Sequence, residues 1–318
     1  MTTTEAVVLA PPVRLPRPVP MSTLPAARHS RSSCSCSTLC RAYRAPSANN
    51  SRAPARGARY GARVVTSDVW TEETAASYAD DEAPMFAPEV LGPTVDLLAR
   101  YAGTGPALEF AIGTGRVGVP LLHRGVPVTG IELSAAMVAR LRERAGPGEL
   151  PVVVGDMATT VVPGEFALVF LVFNSIANLR TQDEQVQCFR NAARHLAPGG
   201  RFVVELFVPP LRRLPPGQVA VPFEVSAAHT GFDTFDLVTQ QCTSHHYTRV
   251  EDGSVRYGAG RFRYIWPAEC DLMARLAGLE LETRLGDWDG TPFTEASASH
   301  VSVWARGDAV DGAIRNPC

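Results

Sequence analysis

The stretch from Ala107 to Pro120, Ala-Leu-Glu-Phe-Ala-Ile-Gly-Thr-Gly-Arg-Val-Gly-Val-Pro, constrains this chain more than any other. It starts as a short apolar run carrying one carboxylate, Glu109, and breaks into a glycine turn at Gly113 and Gly115. A new apolar pattern follows at Val117, Val119, Leu121 and Leu122. A strand, a tight turn and a helix start, in that order, open a nucleotide-binding α/β unit.

The sequence downstream continues the alternation. Val126 to Ile131, Pro151 to Val154, the almost wholly apolar Phe166 to Phe173, and Phe202 to Val208 read as strands. Between them lie helical patterns over Val117–Arg124, from a Ser134 cap to Arg144, and over Gln182–Leu196, the last stopped by Pro198-Gly199-Gly200. Strands separated by helices specify a parallel, doubly wound sheet covered on both faces. Upstream, Trp70–Tyr78 and Pro88–Tyr101 read as helices. Downstream the rhythm changes. Val219–Val225, Phe235–Val250 and Ser254–Trp266 form three consecutive extended segments, an antiparallel meander inserted at about 218–266. A helix from Pro267 and two strands, Leu279–Leu285 and His300–Ala305, complete a mostly parallel seven-stranded sheet with an antiparallel edge.

Residues 1–66 differ in kind. They hold ten arginines, a single acid (Glu5) and many Ser, Pro and Ala, a composition that predicts a disordered extension ahead of a domain at 67–306 and a tail at 307–318. Cys34, Cys36 and Cys40 fall in that extension without a second ligand pair, so no metal site is expected. The chain contains no lysine, which excludes a Schiff base or a P-loop lysine. A net charge of −2 argues against a nucleic acid or an anionic membrane as partner.

Gly113-x-Gly115-x-x-Gly118, with Glu132 near the expected ribose-binding distance, fits both nicotinamide and S-adenosylmethionine sites. Glu109 separates them. A carboxylate in the opening strand repels a pyrophosphate and suits the cationic amino acid end of S-adenosylmethionine. Asp156, after the third strand, suits an adenine amino group.

Glu109-Phe-Ala-Ile-Gly-Thr-Gly115, Ile131-Glu132-Leu-Ser-Ala-Ala-Met137, Gly155-Asp156-Met157 and Leu196-Ala-Pro-Gly-Gly200 together resemble the successive motifs of class I S-adenosylmethionine-dependent methyltransferases, over about Trp70 to Arg306. The resemblance implies the Rossmann-like fold of that family and the following roles. Glu109 lies near the methionine ammonium, Gly113 and Gly115 approach the cofactor, and Glu132 takes the ribose hydroxyls. Asp156 and the Met157 backbone hold the adenine, with Leu133 and Met137 packed against it. Phe173 and Asn174 border the methyl donor, and Tyr78 closes over it. Ala111 departs from the pattern, since many members carry a glycine there.

The loop Phe173-Asn-Ser-Ile-Ala-Asn178-Leu179 resembles that of amino-sugar N-methyltransferases, which carry a histidine where this chain has Asn178. Asparagine takes up no proton, so His245 and His246 on the meander are the replacement candidates, pointing to opposite faces of an extended segment. Tyr247, Arg261, Arg263 and Tyr264 are further polar candidates, and Trp288 with Pro292-Phe293 is a candidate cap. The expectation is a cytoplasmic monomer or homodimer that methylates N or O of a small molecule in specialised metabolism. The alternatives are a non-catalytic S-adenosylmethionine-binding regulator and an NAD(P)-dependent oxidoreductase.

Overall fold

The structure is a computed structural model, and it describes residues 71–72, 75–76, 83–250 and 252–307. The arginine-rich extension, Cys34, Cys36, Cys40, Tyr78 and the tail beyond 307 lie outside the described residues. Of the first expected helix, Glu72, Ala75 and Ala76 are helical, and the Ala75 N–H donates to Thr71 O at 2.8 Å.

Beyond that segment, eleven strands and five α-helices follow one another among the described residues as α1 (Pro88–Ala102), β1 (Ala107–Phe110), α2 (Gly118–His123), β2 (Val128–Glu132), α3 (Ala135–Arg142), β3 (Val152–Val154), β4 (Phe166–Leu171), α4 (Gln182–His195), β5 (Leu196–Phe207), β6 (Ala220–Val225), β7 (His229–Phe235), β8 (Gln241–Arg249), β9 (Val255–Arg263), α5 (Pro267–Leu276), β10 (Leu279–Leu285) and β11 (Ser299–Arg306). The main sheet has seven strands in the order β10-β11-β5-β4-β1-β2-β3. Its β1, β2, β3, β4 and β5 pair in parallel, while β11 runs antiparallel to both β5 and β10. A second sheet, β6-β7-β8-β9, is wholly antiparallel.

Strand β4 shows why the centre of the main sheet reads as unbroken apolar sequence. Phe166, Val169 and Leu171 pack into one core cluster, whereas Leu168 and Phe170 pack into another on the opposite face. Side chains alternate across a strand, so a strand covered on both faces is apolar at every position. Helix α4 carries the first cluster. Its start is fixed by a capping box, in which Thr181 Oγ1 accepts from the Glu184 N–H (3.2 Å) and Glu184 Oε2 accepts from the Thr181 N–H (3.0 Å). Phe189 then meets Phe202 of β5 and Trp304 of β11 edge-on, at centroid distances of 5.1 and 5.3 Å.

Two boundaries differ from expectation. The segment Phe235–Val250 holds the last residue of β7, a turn and β8, and most of β7 (His229–Phe235) lies ahead of it where no strand was expected, so the meander has four strands rather than three. Asp236 breaks it: its Oδ1 accepts from the N–H groups of Val238 (2.9 Å) and Thr239 (3.2 Å), and Gln240 takes a positive φ of 59°. Leu237 and Val238 look like strand residues in sequence but are exposed on this turn. Strand β5 also begins at Leu196, six residues early, because Leu196 already pairs with Phe166 of β4 and Pro198-Gly199-Gly200 is taken up in a register shift before Arg201 pairs with Leu168. A Cβ on Gly200 would sit 2.9 Å from the Phe166 carbonyl oxygen, so only glycine lets the two backbones run that close.

Phe189→Ala removes the ring at the junction of α4, β5 and β11. It is expected to cost about 3–5 kcal/mol, read as a fall in the urea midpoint followed by circular dichroism.

Candidate functional site

A cavity of about 730 Å³ opens between the C-terminal ends of β1, β2 and β4 and the face of the second sheet. That position, at the carboxyl edge of a parallel sheet, is where open α/β folds bind ligands, and the volume lies within the usual range for small-molecule sites.

The glycine turn forms its floor. Ala111, Gly113 and Gly115 take positive φ of 51°, 58° and 76°. The left-handed conformation costs a non-glycine residue roughly 1–2 kcal/mol, so the departure at Ala111 is a strained position that glycine would occupy freely. Glu132, at the end of β2, ties the turn down. Its Oε2 accepts from the Gly113 N–H and its Oε1 from the Ser134 N–H, both at 2.8 Å. Burial raises its carboxyl above the ordinary range, and those backbone donors oppose the rise. Gly115, expected to approach the cofactor, serves packing instead: a Cβ there would sit 2.8 Å from Val119 Cγ2, and it is not among the cavity-lining residues.

Glu109 on β1 is 2% exposed, and among the described residues its Oε2 has no hydrogen-bond partner. Burial pushes its carboxyl well above the usual range, opposed by the Arg116 guanidinium and the Gly118 backbone N–H. Gly118 provides the space: a Cβ at that position would sit 2.6 Å from Glu109 Oε2. Arg116, buried itself, holds its guanidinium 5.0 Å above the Phe173 ring and donates from Nη1 to Met85 O at 3.4 Å. Nothing in the sequence patterning marked Arg116, because an arginine beside a glycine turn looks like any solvent-exposed charge.

The loop after β4 is strained at the cavity edge. Phe173 and Asn174 both take positive φ, 55° and 59°. Glu205 of β5 holds them, its Oε2 accepting from the Phe173 N–H at 2.7 Å and its backbone carbonyl from the Asn174 N–H at 3.3 Å. Consecutive left-handed residues persist only where neighbours over-determine them. Asn178 closes this loop on a short 3₁₀ turn (Ser175–Asn178) and lines the cavity.

The loop after β3 is likewise braced from below. Asp156 Oδ1 accepts from the Ala158 N–H (2.8 Å), and Asn191 Nδ2 donates to the carbonyls of Met157 (2.9 Å) and Thr160 (2.8 Å). Asp156, Met157, Leu133 and Met137 line one end of the cavity.

The second sheet forms the remaining wall through His246, Thr248, Arg256, Gly258 and Phe262. His245 points the other way, stacked on Phe232 at 4.8 Å and bonded to Tyr257 Oη (2.8 Å) and Thr234 Oγ1 (3.0 Å). Arg263 is also elsewhere, ion-paired with Glu269 at 2.7 Å, where it ties β9 to α5. Trp288 lines a smaller neighbouring cavity with Arg116, Glu205 and Asp287. Among the described residues, no helix is long and apolar enough to cross a membrane.

Glu109 and Glu132 both have carboxyls raised in the folded state. Between the ordinary carboxylate range and those raised values the folded protein keeps protons that the unfolded chain has released. Stability therefore falls as pH rises through that window. Glu109→Gln is expected to flatten the fall as pH rises above the ordinary carboxylate range and to leave the variant more stable than wild type at the upper end. Urea midpoints measured across that window check it.

Residues 107–200 match a family model described as a methyltransferase domain. The chain is similar to the CcbJ methyltransferase of Streptomyces caelestis, with 34% identity, 73% of this chain and 98% of that one covered, and a TM-score of 0.63. It is 26% identical over 235 residues to the cypemycin N-terminal methyltransferase of a Streptomyces species, covering 71% of this chain and 95% of that protein. It is also 32% identical over 145 residues to the dTDP-4-amino-2,3,4,6-tetradeoxy-D-glucose N,N-dimethyltransferase of Saccharopolyspora spinosa, covering 42% of this chain and 57% of that enzyme.

Proposed function

The chain belongs to the class I S-adenosylmethionine-dependent methyltransferases, and from that premise we propose that it methylates an amine nitrogen of a small biosynthetic molecule. The observation carrying the cofactor part is the buried Glu109 beside Arg116 in the cavity wall. A carboxylate with an unpartnered oxygen next to a guanidinium matches a zwitterion, the ammonium facing Glu109 and the carboxylate facing Arg116. A pyrophosphate offers no cation to Glu109.

When bound, S-adenosylmethionine supplies an electrophilic methyl group on a positively charged sulfur. The residues do the rest by holding and aligning. Glu132 keeps its two oxygens pinned by backbone donors, oriented for a ribose diol. Asp156 and the Met157 backbone suit an adenine edge, with Leu133 and Met137 on its faces, and the backbone of Ala111 and Gly113 forms the floor. Phe173 and Asn174 stand at the mouth, where the acceptor's lone pair has to arrive. Tyr78 keeps its proposed role as a closing aromatic on sequence grounds alone.

The choice of nitrogen rests on two of the relatives, one an N-terminal methyltransferase and one an amino-sugar N,N-dimethyltransferase. It also rests on His246, the one histidine among the described cavity-lining residues. An amine reaches the site largely protonated at neutral pH and must lose that proton before it attacks. Asn178 cannot take it.

Calorimetry on the full chain is expected to show saturable binding of S-adenosylmethionine and none of NADH. Glu132→Ala is expected to weaken that binding at least 100-fold, through both the diol and the loosened turn. Turnover is checked by S-adenosylhomocysteine release with dTDP-4-amino-4,6-dideoxy-D-glucose against its 4-hydroxy counterpart. Release with the hydroxy sugar alone would overturn the choice of nitrogen, and NADH binding without S-adenosylmethionine binding would overturn the whole reading.

A further inference from the structure

His246 is one member of a hydrogen-bonded chain that crosses three strands of the second sheet. Its Nδ1 lies 3.2 Å from His229 Nε2, and His229 Nδ1 lies 2.9 Å from Glu224 Oε2. On the other side, His246 Nε2 lies 3.1 Å from Ser244 Oγ, and the Asp233 carboxylate is the alternative acceptor within reach of the Ser244 hydroxyl. Only His246 of these lines the cavity. Glu224 has half of its side chain exposed to solvent, against 19% for His229.

The register shows that the sheet is arranged for this contact. Glu224 of β6, Gly231 of β7 and His246 of β8 lie opposite one another in adjacent strands. Gly231 leaves the middle position empty. A Cβ there would sit 2.1 Å from Phe223 Cε2 and 3.0 Å from His229 Cε1. The missing side chain lets His229 lean across and stack on His246, their rings 5.3 Å apart and 30° from parallel, with Phe223 packed 5.4 Å from His246. Any other residue at 231 would separate the two imidazoles.

We infer that His246, His229 and Glu224 form a proton relay from the cavity to solvent, which removes the proton of an ammonium acceptor. The inference rests on the amine-methylation reading above. At rest His246 carries its proton on Nδ1, donated to His229 Nε2, and His229 carries its own on Nδ1, donated to Glu224. Ser244 Oγ–H donates to His246 Nε2. An acceptor N–H bond then breaks, its electron pair stays on nitrogen as the attacking lone pair, and its proton goes to His246 Nε2. The Nδ1 proton of His246 passes to His229 Nε2, and the Nδ1 proton of His229 passes to Glu224, which releases it to water. Before the acceptor's proton transfers, Ser244 turns its hydroxyl from Nε2 to Asp233, which frees the Nε2 lone pair to take that proton. Every group takes one proton and gives one up.

The electrostatics set the resting protonation states. Burial and the neighbouring His229 hold His246 below the usual imidazole range, so it rests neutral. The His229 bond holds Glu224 below the carboxylate range, so it rests as an acceptor. The titratable and charged groups facing His246 are Glu224 from β6 and His229 and Asp233 from β7, with His245 adjacent on β8. From β9 the residue opposite is Gly258, and Arg256 stands two positions along, on the cavity wall.

The relay is tested first without turnover. Two-bond proton–nitrogen spectra of the full chain with ¹⁵N-histidine, with and without S-adenosylhomocysteine, are recorded across pH for wild type, Glu224→Gln and His229→Gln. His246 is expected as the Nδ1–H tautomer, with a titration midpoint that moves by about half a pH unit or more in Glu224→Gln, although Glu224 does not touch it. An unmoved midpoint or an Nε2–H tautomer overturns the relay. Kinetics with dTDP-4-amino-4,6-dideoxy-D-glucose then separate proton transfer from structure. Both variants are expected to lose about tenfold in kcat at pH 7 with KM for S-adenosylmethionine unchanged, and to recover near pH 9.5, where the amine arrives free. Loss by the same factor at every pH, or no loss, overturns the relay. Failure of wild type to bind S-adenosylmethionine would defeat the functional reading instead, and the histidine spectra would still decide whether the chain is coupled.

Discussion

Two carboxylates, each on the strand next to the turn it braces, hold the carboxyl edge of the main sheet in its working shape. Where β1 ends, the chain enters left-handed backbone at Ala111 and Gly113, and Glu132 of β2 takes the Gly113 N–H. Where β4 ends, it enters left-handed backbone again at Phe173 and Asn174, and Glu205 of β5 takes the Phe173 N–H. In both places a strained turn is fixed by an acid on the adjacent parallel strand. A charge-assisted bond to a backbone donor is about twice as strong as a neutral one, and each is well suited to hold a turn whose cost is one to three kcal/mol. The cavity lies between these two braces, and its shape follows from them.

The same edge explains why Glu109 can stay buried. An ionised carboxylate without a partner is among the most expensive groups to place inside a protein. Here Arg116 lies beside it, and Gly118 gives it room where any Cβ would intrude. The third glycine of the fingerprint therefore accommodates an acid rather than a phosphate. A site that keeps one carboxylate oxygen unpaired is less stable when empty than a neutral one would be, and a cationic ligand relieves the cost. Binding and stability draw on the same residue with opposite signs.

How legible this was in the sequence depended on the range of the interaction. The parallel sheet followed from alternation and from the apolar run of β4, since burial on both faces leaves no other composition. That Glu109, Glu132 and Asp156 line the cavity could be read from the sequence, because each keeps a fixed place in or just after a strand relative to the glycine turn. The break at Asp236 was hidden, because Leu237 and Val238 carry strand-like side chains and only a side-chain bond to their backbone turns them outward. Arg116 and Glu205 were hidden for another reason. Each acts on a partner far away in sequence, and a lone charge in a sequence gives no hint of which backbone it will face. His245 and His246 were singled out together, and only the pleat and register of β8 separate a stacked surface histidine from one on the cavity wall.

The two sheets differ in how they meet the cavity. The main sheet presents strand ends, where backbone groups and acids converge on a few fixed points, an arrangement that tolerates little change. The second sheet presents a face, on which alternate residues of β8 and β9 can change without disturbing the ladder beneath. Gly258, directly across from His246, shows the consequence. A Cβ there would meet nothing within 4 Å, so the space beside the imidazole is left open by one missing side chain. The open space next to His246 thus depends on a ladder position that has no side chain to pack. Substitutions on the face of the second sheet can reshape that wall of the cavity while the strand ends keep theirs.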